Sequence, residues 1–304
     1  MCCATAAGQR EAGSSSVMNW PLPLAGRQGS PEEETERMSN PTDLCLQIAY
    51  DTDVGLVRSE NQDAVFGWTS SSPEVGPLGL LVVADGIGGF RSGDVASALA
   101  VDTLQEKLLP FLEQELAQKV RSPEVLEARL KQAVLEANRA IFGAAPVGQN
   151  GMGHMGTTIV AVLIQGDRMA LAHVGDSRIY RLEESGLELL TEDHTLVGEL
   201  VGDGLLDPDD ILDHPRRNVL TRALGVNAQV EVDTDVLHLA EGDRLALCSD
   251  GLWAIMDDTA QFERMLDRVE TPEQVVERLI VFANERGGGD NITILVCDID
   301  RNTT

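Results

Sequence analysis

The chain predicts an α+β fold, with strands gathered around helices instead of alternating with them as regular βαβ units. Three observations carry that expectation. Short apolar runs of strand character come in groups, at 44–84, 157–182 and 234–249. Two stretches with apolar residues at helical spacing separate the first group from the second. Finally, Gly166-Asp167 and Gly175-Asp176 supply short turns between neighbouring strands.

The elements follow in order. Strands are expected at 44–50, 64–68 and 78–84, the last delivering Asp85. Residues 92 to about 117 read as a helix with Val95, Leu99, Leu104 and Leu108 on one face. Ser122 caps a second helix, with Pro123 at its first position and Leu126, Leu130, Ala133, Ala137 and Ile141 at helical spacing. A glycine-rich loop, 148–153, leads into strands at 157–164, 169–174 and 178–182. Residues 193–224 have weak periodicity and much Asp. Strands resume at 234–239 and 244–249, helices follow at 259–267 and 271–285, and Gly287-Gly288-Gly289 ends the second. A last strand is expected at 292–298.

Composition excludes several classes. With 304 residues, 43% of them hydrophobic, the chain can bury a substantial core. A formal net charge of −27 argues against a nucleic-acid surface, which demands Lys and Arg. No apolar stretch reaches the roughly 20 residues that span a bilayer, and the start lacks a signal-peptide core. The five cysteines form no C-x-x-C pair, and Cys45, Cys248 and Cys297 sit in apolar runs. Free thiols in a reducing compartment follow, so a cytoplasmic protein is expected. Residues 1–43, rich in Gly, Ser, Pro and Glu, are expected to form a disordered tail ahead of a domain at 44–300.

Four acidic clusters carry the chemistry: Ser59-Glu60-Asn61-Gln62-Asp63, Ala84-Asp85-Gly86-Ile87-Gly88-Gly89, Cys248-Ser249-Asp250-Gly251 and Gly289-Asp290-Asn291. Three place an Asp at the end of an apolar run, where an isolated charge must be paired or bind metal. Oxygen ligands suit Mg²⁺ and Mn²⁺, and glycine lets a backbone carbonyl approach. Asp85, Asp250 and Asp290 are therefore candidates for a shared metal centre. A calcium loop is the competing reading, but Asp51-x-Asp53-x-Gly55 has the wrong spacing for one.

With the blocks Gly55-Leu56-Val57-Arg58-Ser59-Glu60-Asn61-Gln62-Asp63, Met155-Gly156-Thr157-Thr158, Ala172-His173-Val174-Gly175-Asp176-Ser177-Arg178 and Asp193-His194-Thr195, these clusters closely resemble the bacterial-type metal-dependent Ser/Thr protein phosphatases (PPM, or type 2C). The resemblance implies a four-layer α-β-β-α sandwich of two mostly antiparallel sheets flanked by helices, with a flap at about 193–224. It implies hydrolysis of phosphoserine and phosphothreonine in proteins, opposing a Ser/Thr kinase, by a monomer. Two Mn²⁺ or Mg²⁺ ions per site would activate a water, with Asp85 bridging, Gly86 offering its carbonyl, and Asp250 and Asp290 completing the set. Asp63 would hold coordinated waters or bind directly, Arg58 would clamp phosphate, and Asn291 would orient a water. The alternative within the same family is a catalytically weak fold that binds phosphoproteins as a regulatory module.

Two positions depart from the family pattern. Ile87 stands where many eukaryotic relatives carry a proton-donating His, which leaves the general acid to a water, or to His194. His154 stands where relatives place an Asp that, with the Asp of Ser-Asp-Gly (here Asp250), holds a weak third metal. Asp176 and Arg178 are expected to be structural, with Asp176 on turn amides, and His173 to be a packed strand residue.

Overall fold

The computed structural model describes residues 43–87, 92–144, 155–207, 214–216, 218–256 and 258–302. Residues 1–42, almost all of the expected tail, and His154 lie outside them. The first strands are β1 (Leu44–Asp53), β2 (Asp63–Ser72) and β3 (Gly76–Asp85), followed by helices α1 (Gly93–Phe111) and α2 (Pro123–Ala144). Next come β4 (Ile159–Gln165), β5 (Arg168–Val174), β6 (Arg178–Glu183), β7 (Gly186–Leu189) and the short helix α3 (Leu196–Gly202). The chain continues with β8 (Asp233–His238), β9 (Arg244–Cys248), α4 (Asp250–Trp253), α5 (Thr259–Met265), α6 (Pro272–Glu285) and β10 (Ile292–Arg301).

Two five-stranded sheets form, in the orders β1-β10-β9-β6-β7 and β2-β3-β4-β5-β8. Every pairing in them is antiparallel. Their inner faces meet over Leu81, Val83, Val160, Val162, Leu245, Leu247, Leu295 and Cys297. The outer face of the second sheet packs Leu80, Val82 and Ala84 against α1 and α2 through Leu104, Leu130 and Ile141. The outer face of the first packs Ala246, Ile294 and Val296 against Phe262, Val275 and Leu279 of α5 and α6. That is the expected four-layer order. Because alternate residues of β3 enter different apolar layers, the strand reads as one continuous apolar run instead of an alternating one.

The structure corrects three expectations. Gly175-Asp176 is no hairpin turn: β5 and β6 lie in different sheets, and this short link carries the chain across the sandwich. Val95 does not join the apolar face of α1 but is half exposed, while Leu104 and Leu108 are buried. β7 and α4 were not expected; both are too short to show a period. Capping went as the residue types suggest. Thr271 forms a capping box with Gln274 at the start of α6, and Pro272 follows at the first position.

Candidate metal centre

One edge of the sandwich collects carboxylates from both sheets. In the β2–β3 register Asp63 stands directly opposite Asp85, so antiparallel pairing alone sets one acid beside another. From the other sheet, Asp250 opens α4 just after β9, and Asp290 lies just ahead of β10, the neighbour of β9. Gly86 follows Asp85, and its amide donates to the Gln62 carbonyl at 3.0 Å. A Cβ there would meet the carbonyl oxygens of Gly93 and Gln62 at 2.4 and 2.5 Å, so only glycine lets the backbone pass.

Asp63 ties the sheets together. Its Oδ2 accepts hydrogen bonds from the hydroxyls of Ser249 at 2.7 Å and Thr293 at 2.6 Å. Its Oδ1 is buried without a hydrogen-bond partner. A buried orphan acceptor on a carboxylate is costly unless a cation or a donor meets it. Burial pushes Asp63 up to about 6, although the two hydroxyls and a hydrogen bond shared with Asp85 pull the other way. Asp250 is also pushed up to about 6, by burial and then by the charges of Asp290 and Asp63. Burial, then Asp63 and Asp250, hold Asp85 well above the ordinary carboxylate range.

Carboxylates that raise one another's proton affinity form a place that attracts positive charge. Among the described residues no three His, Cys, Asp or Glu side chains already surround a single point. Asp290 is turned aside, with Oδ2 accepting from Arg58 Nη2 at 2.7 Å and Oδ1 from the Asn291 amide at 2.9 Å. The donors are nonetheless all oxygen, and Asp63 Oδ1 faces no N–H or hydroxyl donor, only the neighbouring acid Asp85, with which it can share a proton until a cation takes that proton's place. The residues fit a hard divalent cation.

Three other residues singled out in the sequence are placed as follows, His173 as the packed strand residue expected. Asn291 holds the loop: its Nδ2 donates to the Val54 and Glu60 carbonyls at 2.9 and 3.0 Å, and its Oδ1 accepts from the Gln62 amide at 2.9 Å. His194 has both ring nitrogens engaged. Its Nδ1 accepts from the Gly175 amide at 3.1 Å, so Nε2 carries the proton and gives it to Asp233 at 3.0 Å. His173 stacks on it with ring centroids 4.4 Å apart, and burial lowers its pKa to about 3.

Arg178 is buried and structural. It grips Asp193 through Nε at 2.9 Å and Nη2 at 2.7 Å, and lies 3.5 Å over the Trp253 ring. Asp176 takes a backbone-amide hydrogen bond, as expected of a turn residue, and it also feels the acidic centre. It is raised by burial, then by Asp250 and Asp193, and its charge in turn raises Asp85. No spacing signals this, because only the crossover between sheets brings it there.

Comparison with known proteins gives one picture. The protein phosphatase 2C family model matches residues 57–281. The serine/threonine phosphatase stp of Listeria monocytogenes is 39% identical over 259 residues, 84% of this chain and 96% of that protein. The crystal structure of the Mycobacterium tuberculosis serine/threonine phosphatase PstP/Ppp superposes with a TM-score of 0.70 at 35% identity, covering 84% of this chain and 99% of that one. The catalytic domain of PstP in complex with two manganese ions gives a TM-score of 0.68 at 34% identity, with the same coverage.

Proposed function

Since the chain belongs to the protein phosphatase 2C family, it is a metal-dependent protein serine/threonine phosphatase, and we propose that Asp85, Gly86, Asp250 and Asp290 hold two cations. The observation that carries this assignment is the register that sets Asp63 opposite Asp85 and buries both among acids that raise one another's proton affinity. The family's alternative, a phosphoprotein-binding module without catalysis, has no observation in its favour, since all four acids are present and gathered. Bound Mn²⁺ or Mg²⁺ would supply a nucleophilic water at neutral pH and offset charge on the phosphoryl oxygens.

The chain's own residues do the rest. Asp63, fixed by Ser249 and Thr293, presents Oδ1 to orient the attacking water. Arg58, half exposed beside Asp290, turns its guanidinium to two phosphoryl oxygens, which its planar fork matches. Ile87 has no proton to give and both nitrogens of His194 are engaged, so water protonates the departing serine oxygen. A third, weaker cation is assigned to Asp250 with His154, and His154→Asp should strengthen Mg²⁺-supported turnover.

The proposal extends to substrates and setting. Phosphoserine and phosphothreonine placed by a Ser/Thr kinase, including those on the kinase itself, are the targets of a cytoplasmic monomer. Buried free Cys248 and Cys297 are compatible with a reducing compartment. Among the described residues no helix is long and apolar enough to cross a membrane. The test is hydrolysis of a phosphoserine peptide by purified protein with Mn²⁺, its loss in EDTA, and its loss in Asp85→Asn. Wild-type turnover by Asp85→Asn at saturating Mn²⁺ would overturn the assignment.

A further inference from the structure

The loop that carries Arg58 also carries Leu56 and Val57, which are 69% and 71% exposed. Single exposed aliphatic residues are ordinary on a protein surface. This pair differs: among the described residues it is the only place where two exposed large apolar side chains are consecutive. The backbone beneath the pair is fixed. The amides of Leu56 and Val57 both donate to the Gly288 carbonyl, at 2.8 and 3.2 Å. Gly55 turns the chain at φ +76°, so close that a Cβ would lie 2.3 Å from the Asp290 carbonyl. Its amide is held by Asp53 Oδ1 at 2.7 Å, and Asn291 Nδ2 grips the Val54 and Glu60 carbonyls on either side. A loop pinned at both ends to the segment bearing Asp290 therefore holds two aliphatic side chains in water, next to the arginine assigned to the phosphate.

Keeping apolar groups exposed on a rigid support stabilises nothing in the free protein. It is the arrangement that lowers the cost of binding an apolar partner, because the ordering is already done. We propose that Leu56 and Val57 form a shelf for an aliphatic or aromatic side chain flanking the phosphoserine or phosphothreonine of the substrate protein. The occupant is set by continuity: a peptide whose phosphate meets Arg58 and the acidic centre must run its neighbouring residues past this loop. The shelf thus selects substrates by an apolar neighbour, and it acts on binding and not on the bond that breaks. The proposal rests on the phosphatase reading above.

The experiment is a matched set of phosphoserine peptides carrying Leu, Ser or Asp at each position flanking the phosphoserine, assayed with Mn²⁺. Every rate is divided by aryl phosphate turnover of the same protein. The wild type should prefer Leu over Asp at one flank by about tenfold in kcat/KM, the scale of one partly buried aliphatic contact, with the change in KM. The double variant Leu56→Ser, Val57→Ser should lose that preference, and Leu56→Met with Val57→Ile should keep it. No preference in the wild type, or the same preference in the serine variant, overturns the shelf. Absence of wild-type aryl phosphate turnover would instead overturn the phosphatase reading. A concentration-dependent dimer abolished by the serine variant would assign the pair to a second copy of the chain and so overturn the shelf as well.

Discussion

The paired strands β9 and β10 carry buried charge at both ends, and the two ends treat it in opposite ways. At one end Arg244, fully buried, faces Asp298 across the register. Its Nε and Nη2 reach the two carboxylate oxygens at 2.6 and 2.8 Å, and its remaining N–H groups cap the carbonyls of Leu266, Asp267 and Glu270. Every donor is used, and the charges cancel. At the other end Asp250 and Asp290 are grouped with Asp63, Asp85 and Asp176, and Arg58 and Arg178 are too few countercharges to balance five acids. The lesson is that a buried charge which the chain satisfies by itself is architecture. One that it leaves unsatisfied reserves a place for something that must come from outside.

The largest effect should come from breaking the satisfied end. Arg244→Ala leaves Asp298 buried and three carbonyls uncapped, and should cost about 3–5 kcal/mol in denaturant unfolding. Turnover per folded molecule should stay near wild type. Breaking the unsatisfied end should do the reverse. Asp85→Asn should cut turnover by about a hundred- to a thousandfold, yet raise the melting temperature of cation-free protein at pH 8, because a repelling acid is gone. If Asp85→Asn melts lower than wild type in EDTA, the two ends do not differ as stated.

Next is Ser249→Ala. It removes one of the two hydroxyls on Asp63 Oδ2 and leaves the Thr293 amide without its 3.1 Å acceptor. A loss of about 1–3 kcal/mol is expected, with turnover reduced severalfold because Asp63 is held less firmly; Ser249→Thr should recover part of both. Unchanged stability and turnover would show that the hydroxyl clamp is idle.

The smallest effect sharpens the comparison by pH. Asp63 and Asp250 rise from 3.8 to about 6 on folding, so between those values the folded chain binds more protons than the unfolded one. Stability contributed by the protonated acids is whole below pH 3.8 and is lost as pH climbs through about 6. His173, lowered from 6.5 to about 3, acts oppositely: its contribution is present above 6.5 and is lost as pH falls. The histidine effect is common to protein with and without cation, so it cancels in the difference. The rise in melting temperature produced by Mn²⁺ should therefore grow between pH 4 and pH 7. A rise that is flat with pH would detach the cation from these acids.

Local pattern in the chain determined a good deal by itself. Apolar runs marked β3, β4 and β9 because strands buried on both faces have few polar positions to interrupt them. Spacing marked α2, whose Leu126, Leu130, Ala133, Ala137 and Ile141 are all buried. Asp-Gly pairs at strand ends marked Asp85 and Asp250, because charge at the end of an apolar run has few reasons to be there. Tertiary structure alone decided the rest. Only the crossover from β5 to β6 brings Asp176 beside Asp250 and Asp85. Only strand register gives Arg244 its Asp298, and only the closing of loop 54–62 onto residues 288–291 consumes the Asn291 side chain. These outcomes depend on which distant residues become neighbours, and a period of two or of 3.6 reports only which face of its own element a residue lies on.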